Sequence, residues 1–354
     1  MNDRFLRACR HEPVDATPVW FMRQAGRSFA GYRALRERYG ILELAKTPDL
    51  CAEVTLMPVR DLGVDAAVMF ADIMLPLEPM GVGLRIEPEV GPIIDRPIRS
   101  SADVDALGAF DPEGVGFTLE AIRLVRRELD GSAGVIGFSG APFTLACYLI
   151  EGRPSRDFAT AKAFMYREPE AWHRLLRKLS DMAITYLRAQ VDAGAEVVQL
   201  FDSWVGGLGP ADYVTYVQPH VRRIFDALTV PTIHFATGAS GLLEHLADAG
   251  GDVIGVDHRL SLGEAWQRIG YDRGIQGNLD SARLLGGWGP TEDGARAVLA
   301  EASGRLGHVF NLGHGVLPQT DPALLRRLVD FVHEETMGGS SASGAAPVVS
   351  AASA

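Results

Sequence analysis

Short apolar runs of four to six residues recur along this chain, and each is followed by a stretch whose apolar residues return at three- and four-residue intervals. The runs fall at 18–23, 65–70, 134–138, 196–201, 232–235, 252–256, 274–277 and 308–312. Between and after them lie amphipathic stretches at 50–62, 168–193, 212–228, 241–249, 262–269, 292–303 and 322–335. This alternation is the signature of parallel βαβ units, and eight repeats predict an α/β fold, a closed (β/α)8 barrel of the TIM type rather than an open doubly wound sheet. Two segments break the rhythm. Residues 72–130, punctuated by Pro76, Pro79, Pro88, Pro92 and Pro97, are too long for one crossover and predict an extended insertion after strand two, a lid or a hairpin. Residues 338–354 are poor in charge and rich in Ser, Ala and Gly, which predicts a disordered tail behind one barrel domain spanning 1–337.

In such barrels chemistry collects at the C-terminal ends of the strands. The polar residues falling there are Arg23, Gln24 and Arg27 after strand one, Asp72 after strand two, Tyr148 in the helix after strand three, Ser203 after strand four and His314 after strand eight. The arginine pair sits on a Gly-containing turn. Two planar guanidinium forks there suit carboxylates, and they stay charged at any accessible pH. Each residue also has a plainer reading. The arginines can be tied up in structural ion pairs, Asp72 and Ser203 can cap helices, Tyr148 can be an amphipathic core residue, and His314 can fill a turn between glycines.

Composition narrows the chemistry. A net charge of -11 argues against nucleic acid or an anionic membrane as partner, while an acidic shell around a cationic mouth would focus an anionic substrate onto that mouth. No run approaches the ~18 apolar residues of a membrane span, and the first residues lack the pattern of a signal peptide, so a cytoplasmic location is expected. The lysines, Lys46, Lys162 and Lys178, all fall in helical stretches, which leaves Schiff-base chemistry without a nucleophile at a strand end. Cys9, Cys51 and Cys147 show neither CxxC nor His-x-Cys spacing and are expected as small buried residues, with no metal centre.

The segments Met22-Arg23-Gln24-Ala25-Gly26-Arg27, Phe70-Ala71-Asp72-Ile73, 137–144 (GFSGAPFT) and Asn311-Leu312-Gly313-His314-Gly315, in that order in one chain, resemble the uroporphyrinogen decarboxylase family of the haem pathway. The resemblance runs from about residue 18 to 331. It implies that Arg23, Arg27 and Asp72 are catalytic, and that Arg23, Gln24, Arg27, Asp72, Tyr148, Ser203 and His314 bind substrate. It also implies a cofactor-free enzyme, a homodimer, and a reaction that converts the four acetate side chains of uroporphyrinogen III to methyl groups, giving coproporphyrinogen III. Phe21, Met22, Phe70, Phe138 and Phe143 would wall a flat macrocycle. Two departures stand out: Ser28-Phe29-Ala30 replaces the family's usual Tyr and Leu-Pro pair, and Gly152-Arg153-Pro154 replaces a glycine run.

Decarboxylation needs an electron sink, and a protonated pyrrole can be that sink without help. The rival on the same barrel is a zinc-dependent methyltransferase, whose His-x-Cys pair would fall at strand five. That strand reads His234-Phe235-Ala236, with alanine in place of the thiolate. A tetrapyrrole carrier would need the arginines but not an ionised Asp72. A sugar-phosphate barrel enzyme would rest on the glycines near strands seven and eight.

Overall fold

The computed structural model describes residues 2–87 and 90–338; from residue 339 onward the expected disordered tail lies outside the described residues. The strands are β1 (Ala66–Val68), β2 (Leu84–Glu87), β3 (Gly91–Ile94), β4 (Gly134–Gly140), β5 (Val197–Asp202), β6 (Thr232–Ala236), β7 (Val253–Gly255), β8 (Gly274–Leu279) and β9 (His308–Leu312). Seven of them form one parallel sheet in the order β1-β4-β5-β6-β7-β8-β9, with helices packed outside. These seven coincide, to within two or three residues at each end, with seven of the eight apolar runs.

The eighth run, 18–23, is not a full strand. It touches β9 through one parallel bridge, Val19 to Phe310, and reaches the β1 side through Asp65 N donating to Val19 O at 2.8 Å. That segment closes the ring through a few backbone bonds, Phe310 N to Pro18 O and Trp20 N to Phe310 O among them, supplemented by side chains. Val19 N donates to Asp65 Oδ2 (2.7 Å), Phe21 N to Gln24 Oε1 (3.0 Å) and Met22 N to Asn311 Oδ1 (3.2 Å). Inside the barrel, Trp20 Nε1 donates to Gln276 Oε1, and Gln276 Nε2 donates to Gln199 Oε1. These buried amides satisfy one another in part, while Gln199 Nε2 at the end of the series has no partner among the described residues.

The long stretch 212–228 is two helices rather than one, Pro210–Tyr216 and Gln218–Asp226. Pro219 lies in the first turn of the second, where its missing N–H costs nothing, and the chain breaks before it. After β1 the chain forms a 3-10 turn, Leu75–Met80, and the antiparallel hairpin β2–β3 before the helix Gly116–Leu129. The hairpin is stitched to the helix Pro142–Glu151 by Ile94 N to Gly152 O (2.9 Å) and by Ile98 N to Leu149 O (2.8 Å). Gly152 is required there: its φ is +83°, and a Cβ would lie 2.6 Å from Pro97 Cγ.

At the opposite end of the barrel from the strand C-termini, buried Asp65 gathers four donors. They are Val19 N, Asn2 Nδ2 (2.9 Å), Arg4 Nη1 (3.3 Å) and His333 Nε2 (2.7 Å). The carboxylate thereby ties the N-terminus, the closing segment and the last helix together. Asp65→Ala should lower the unfolding free energy by about 3–5 kcal/mol, the scale for removing one partner of a buried charged pair. Urea unfolding followed by circular dichroism measures this; an unchanged midpoint would mean the cluster is mechanically idle.

Candidate active site

The turn after the closing segment puts Arg23 and Arg27 on the surface at the C-terminal mouth. Arg23 sits in the left-handed region at φ +59°, an uncommon conformation for a residue with a Cβ and one often found where function demands it. Neither guanidinium has an ion-pair or hydrogen-bond partner among the described residues, so neither is consumed in structural bridges. Gln24 is different. It is fully buried, and its amide is spent on Phe21 N and, through Nε2, on Ala66 O at 2.9 Å. Its side-chain amide braces the turn from behind.

Asp72 is presented by a segment clamped to the helix Pro48–Leu62. Phe70 N donates to Thr55 Oγ1 (3.0 Å), and Cys51 Sγ donates to Phe70 O (3.1 Å). One Asp72 oxygen accepts Met74 N at 2.9 Å, an Asx turn leading into the 3-10 turn, and the other oxygen has no partner among the described residues. Desolvation raises the pKa of the carboxyl above its ordinary value, against the pull of Met74 N–H and the Arg23 charge. The capping role and a free acceptor therefore coexist in one side chain.

Tyr148, in the helix Pro142–Glu151, lies within reach of the charges of both Asp72 and Arg23. Desolvation first, then Asp72, pushes its phenol pKa well up, so it remains a neutral donor. Its ring stacks on Trp204 with centroids 4.0 Å apart, and Trp204 stacks in turn on Phe158 at 4.9 Å. Thr144 Oγ1 links the helix to the end of β5, accepting Trp204 N at 3.3 Å and donating to Asp202 Oδ1 at 3.2 Å. Ser203 does not cap the 3-10 turn Val205–Gly207, and its hydroxyl has no protein partner among the described residues. His314 reaches solvent between two closely packed glycines, of which Gly313, against backbone, has no room for a Cβ. A Cβ on Gly315 would lie 2.5 Å from Arg23 Cδ, and one on Gly313 would lie 2.4 Å from His258 N. Desolvation, followed by the charges of Arg23, His258 and Arg259, lowers its pKa.

Behind these groups Phe138, Phe201 and Phe235 meet edge to face, at 5.3 Å and 6.0 Å. Of the five walls expected, Phe70 is half-buried, Phe138 and Met22 are nearly covered, and Phe21 and Phe143 are sealed in the core.

Comparison with known proteins decides what this mouth belongs to. The family profile described as Uroporphyrinogen decarboxylase (URO-D) matches residues 1–335. The chain belongs to the uroporphyrinogen decarboxylase family. Two relatives bearing that name come from Sorangium cellulosum, 56% identical over 94% of this chain and 96% of the relative, and from Carboxydothermus hydrogenoformans, 52% identical over 94% and 97%. Among solved structures, a methyltransferase from Methanosarcina mazei superposes with a TM-score of 0.81 at 21% identity, covering 94% of this chain and 98% of that one; this likeness speaks to the barrel alone. His234, at the position where a methyltransferase would need a metal ligand, is buried with Nδ1 3.2 Å from Leu246 O, and the neighbouring Ala236 has no donor.

Beside Phe138 and Tyr148 lie two aromatic residues that sequence reasoning did not single out, Phe201 and Trp204. Both lie directly beside residues singled out from sequence, Ser203 above all, in the run Phe201-Asp202-Ser203-Trp204. Alternation along β5 could have found Phe201, since Gln199 faces the barrel interior and side chains two apart share a face.

Proposed function

We infer that Asp72, Arg23 and Arg27 carry out decarboxylation of the four acetate groups of uroporphyrinogen III to give coproporphyrinogen III, with the pyrrole itself as electron sink and no cofactor. The activity class follows from family membership: the chain is a carboxy-lyase of tetrapyrrole biosynthesis. The observation that supports the residue assignment is a carboxylate, Asp72, that keeps one oxygen free and feels the charge of Arg23, which lies on a turn whose two guanidiniums have no partner among the described residues.

A proton added to the ring carbon beside the acetate-bearing carbon makes a cationic, iminium-like pyrrole. The bond to the carboxylate then breaks, its electron pair neutralises the ring as an exocyclic methylene, and carbon dioxide leaves. A second proton at the methylene carbon and loss of the first from the ring restore the pyrrole with a methyl group. Asp72 can accept the pyrrole N–H groups and stabilise the developing cation. Arg23 and Arg27 hold carboxylates, Tyr148 and Ser203 donate to them, and His314 adds a further donor or orients its neighbour. The lysines support a substrate-borne sink, because Lys46 pairs with Glu78, Lys162 donates to Gly207 O and Lys178 donates to three carbonyls from 104 to 107. None is placed to form a Schiff base.

A homodimer, a cytoplasmic location and a single catalytic domain over 1–337 complete the proposal. No helix among the described residues is long and apolar enough to cross a membrane. Anaerobic incubation with uroporphyrinogen III should convert eight carboxyl groups to four, at a rate unchanged after chelation and dialysis. Binding without carbon dioxide release would indicate a carrier. Activity restored only by added metal would revive the methyltransferase chemistry.

A further inference from the structure

Uroporphyrinogen presents eight carboxylates, and the site described above supplies two guanidiniums. The loop after β7 carries another. Asn278 Nδ2 holds this loop by donating to Asp257 O (2.9 Å) and Leu260 O (2.7 Å). Asp257 is buried, and it accepts Arg259 N at 2.9 Å on one oxygen while Gly238 N and the Arg259 guanidinium share the other. The loop is therefore rigid, with the guanidinium of Arg259 anchored at one nitrogen. The side chain as a whole is 57% exposed and has no second acidic partner among the described residues.

The loop also abuts the site. Gly313 lets His258 pack directly against the 313–315 segment, and Gly315 does the same for Arg23 on the other side. Arg23, His314, His258 and Arg259 thus follow one another around the mouth, and Asp72 and Asp257 are the acids that meet them. We propose that Arg259, oriented by Asp257 and flanked by His258, is a specificity-determining residue that receives one of the outer carboxylates of the substrate. The inference rests on the proposed function, since it needs a polyanionic substrate in this mouth. An arginine fork held by one nitrogen keeps Nε and Nη2 free for such a carboxylate, and a rim charge acts mainly on encounter and affinity.

The test is steady-state kinetics with uroporphyrinogen III at several salt concentrations, on wild type, Arg259→Gln and Arg259→Lys, each beside a thermal melt. Arg259→Gln should raise KM about tenfold, leave kcat within about a factor of two and flatten the dependence of KM on salt. Arg259→Lys should fall between, because it keeps the charge and loses the fork. Wild-type KM and salt dependence in both variants would overturn the inference, as would a fall in kcat that merely tracks a lowered melting temperature, which would make Arg259 a structural partner of Asp257. A wild-type protein inactive on uroporphyrinogen III would instead sink the proposed function before any variant is compared.

Discussion

Replacing Asp72 by asparagine is expected to leave a folded protein whose kcat falls at least ~100-fold, the scale for removing one preorganised electrostatic group. Asparagine keeps the size and the acceptor oxygen that Met74 N uses at 2.9 Å, so the turn survives. What disappears is the negative charge, which matters most when the pyrrole becomes cationic. The same charge is a burden on the empty protein. Desolvation raises the carboxyl pKa above its ordinary 3.8, so the folded state binds that proton more tightly than the unfolded chain. Ionised Asp72 therefore costs stability, a cost that builds from the unfolded pKa to the higher folded one and is complete above it. Asp72→Asn should accordingly melt at neutral pH no lower than wild type. The acid limb of kcat/KM should lie above the ordinary carboxylate value in wild type and vanish in the residual activity of the variant. Glutamate should be nearly as poor, since one methylene moves the charge beyond the ~0.5 Å tolerance of such a site. Single-turnover decarboxylation beside a thermal melt decides the matter: undiminished turnover in folded Asp72→Asn would reduce Asp72 to a cap.

Periodicity located most of the barrel because its strands are buried on both faces and read as apolar runs, whereas strand one read the same way and is a strand only at Val19. Beside a few backbone bonds, its partners are the side chains of Asp65, Gln24 and Asn311, and no hydrophobic pattern encodes such a mixture. The same holds for the part Gln24 plays in the turn. Its amide is spent on the backbone, and only its burial against Ala66 O shows this. Strand-end polar residues were legible because a parallel barrel delivers them to one mouth regardless of detail. The Tyr148–Trp204–Phe158 stack was not, because it joins two βα loops far apart in sequence through ring geometry. Arg259 was passed over for a similar reason, since its relevance comes from the glycines of another loop that let it approach.

Arg23→Ala and Arg27→Ala should each weaken transition-state stabilisation by roughly 2–5 kcal/mol, as when one partner of a hydrogen-bonded charge pair is truncated. Because neither guanidinium has a protein partner among the described residues, little of that loss should appear as lowered folding stability. The two should differ in how the loss divides. Arg23 bears on Asp72, Tyr148 and His314, so its removal should depress kcat as well as raise KM. It should also shift the acid limb upward, since its positive charge is one of the influences holding the Asp72 pKa down. Arg27, whose charge bears on none of those three groups, should act chiefly on KM. Lysine should rescue neither variant fully, because a point charge cannot reproduce a bidentate fork. The measurement is kcat and KM across pH for both alanine and both lysine variants, with melting temperatures alongside. Wild-type kcat/KM in the two lysine variants would show that charge alone suffices and that fork recognition of the substrate carboxylates is wrong. An Arg23→Ala acid limb that stays in place would separate Arg23 from Asp72 and leave the carboxylate to act alone.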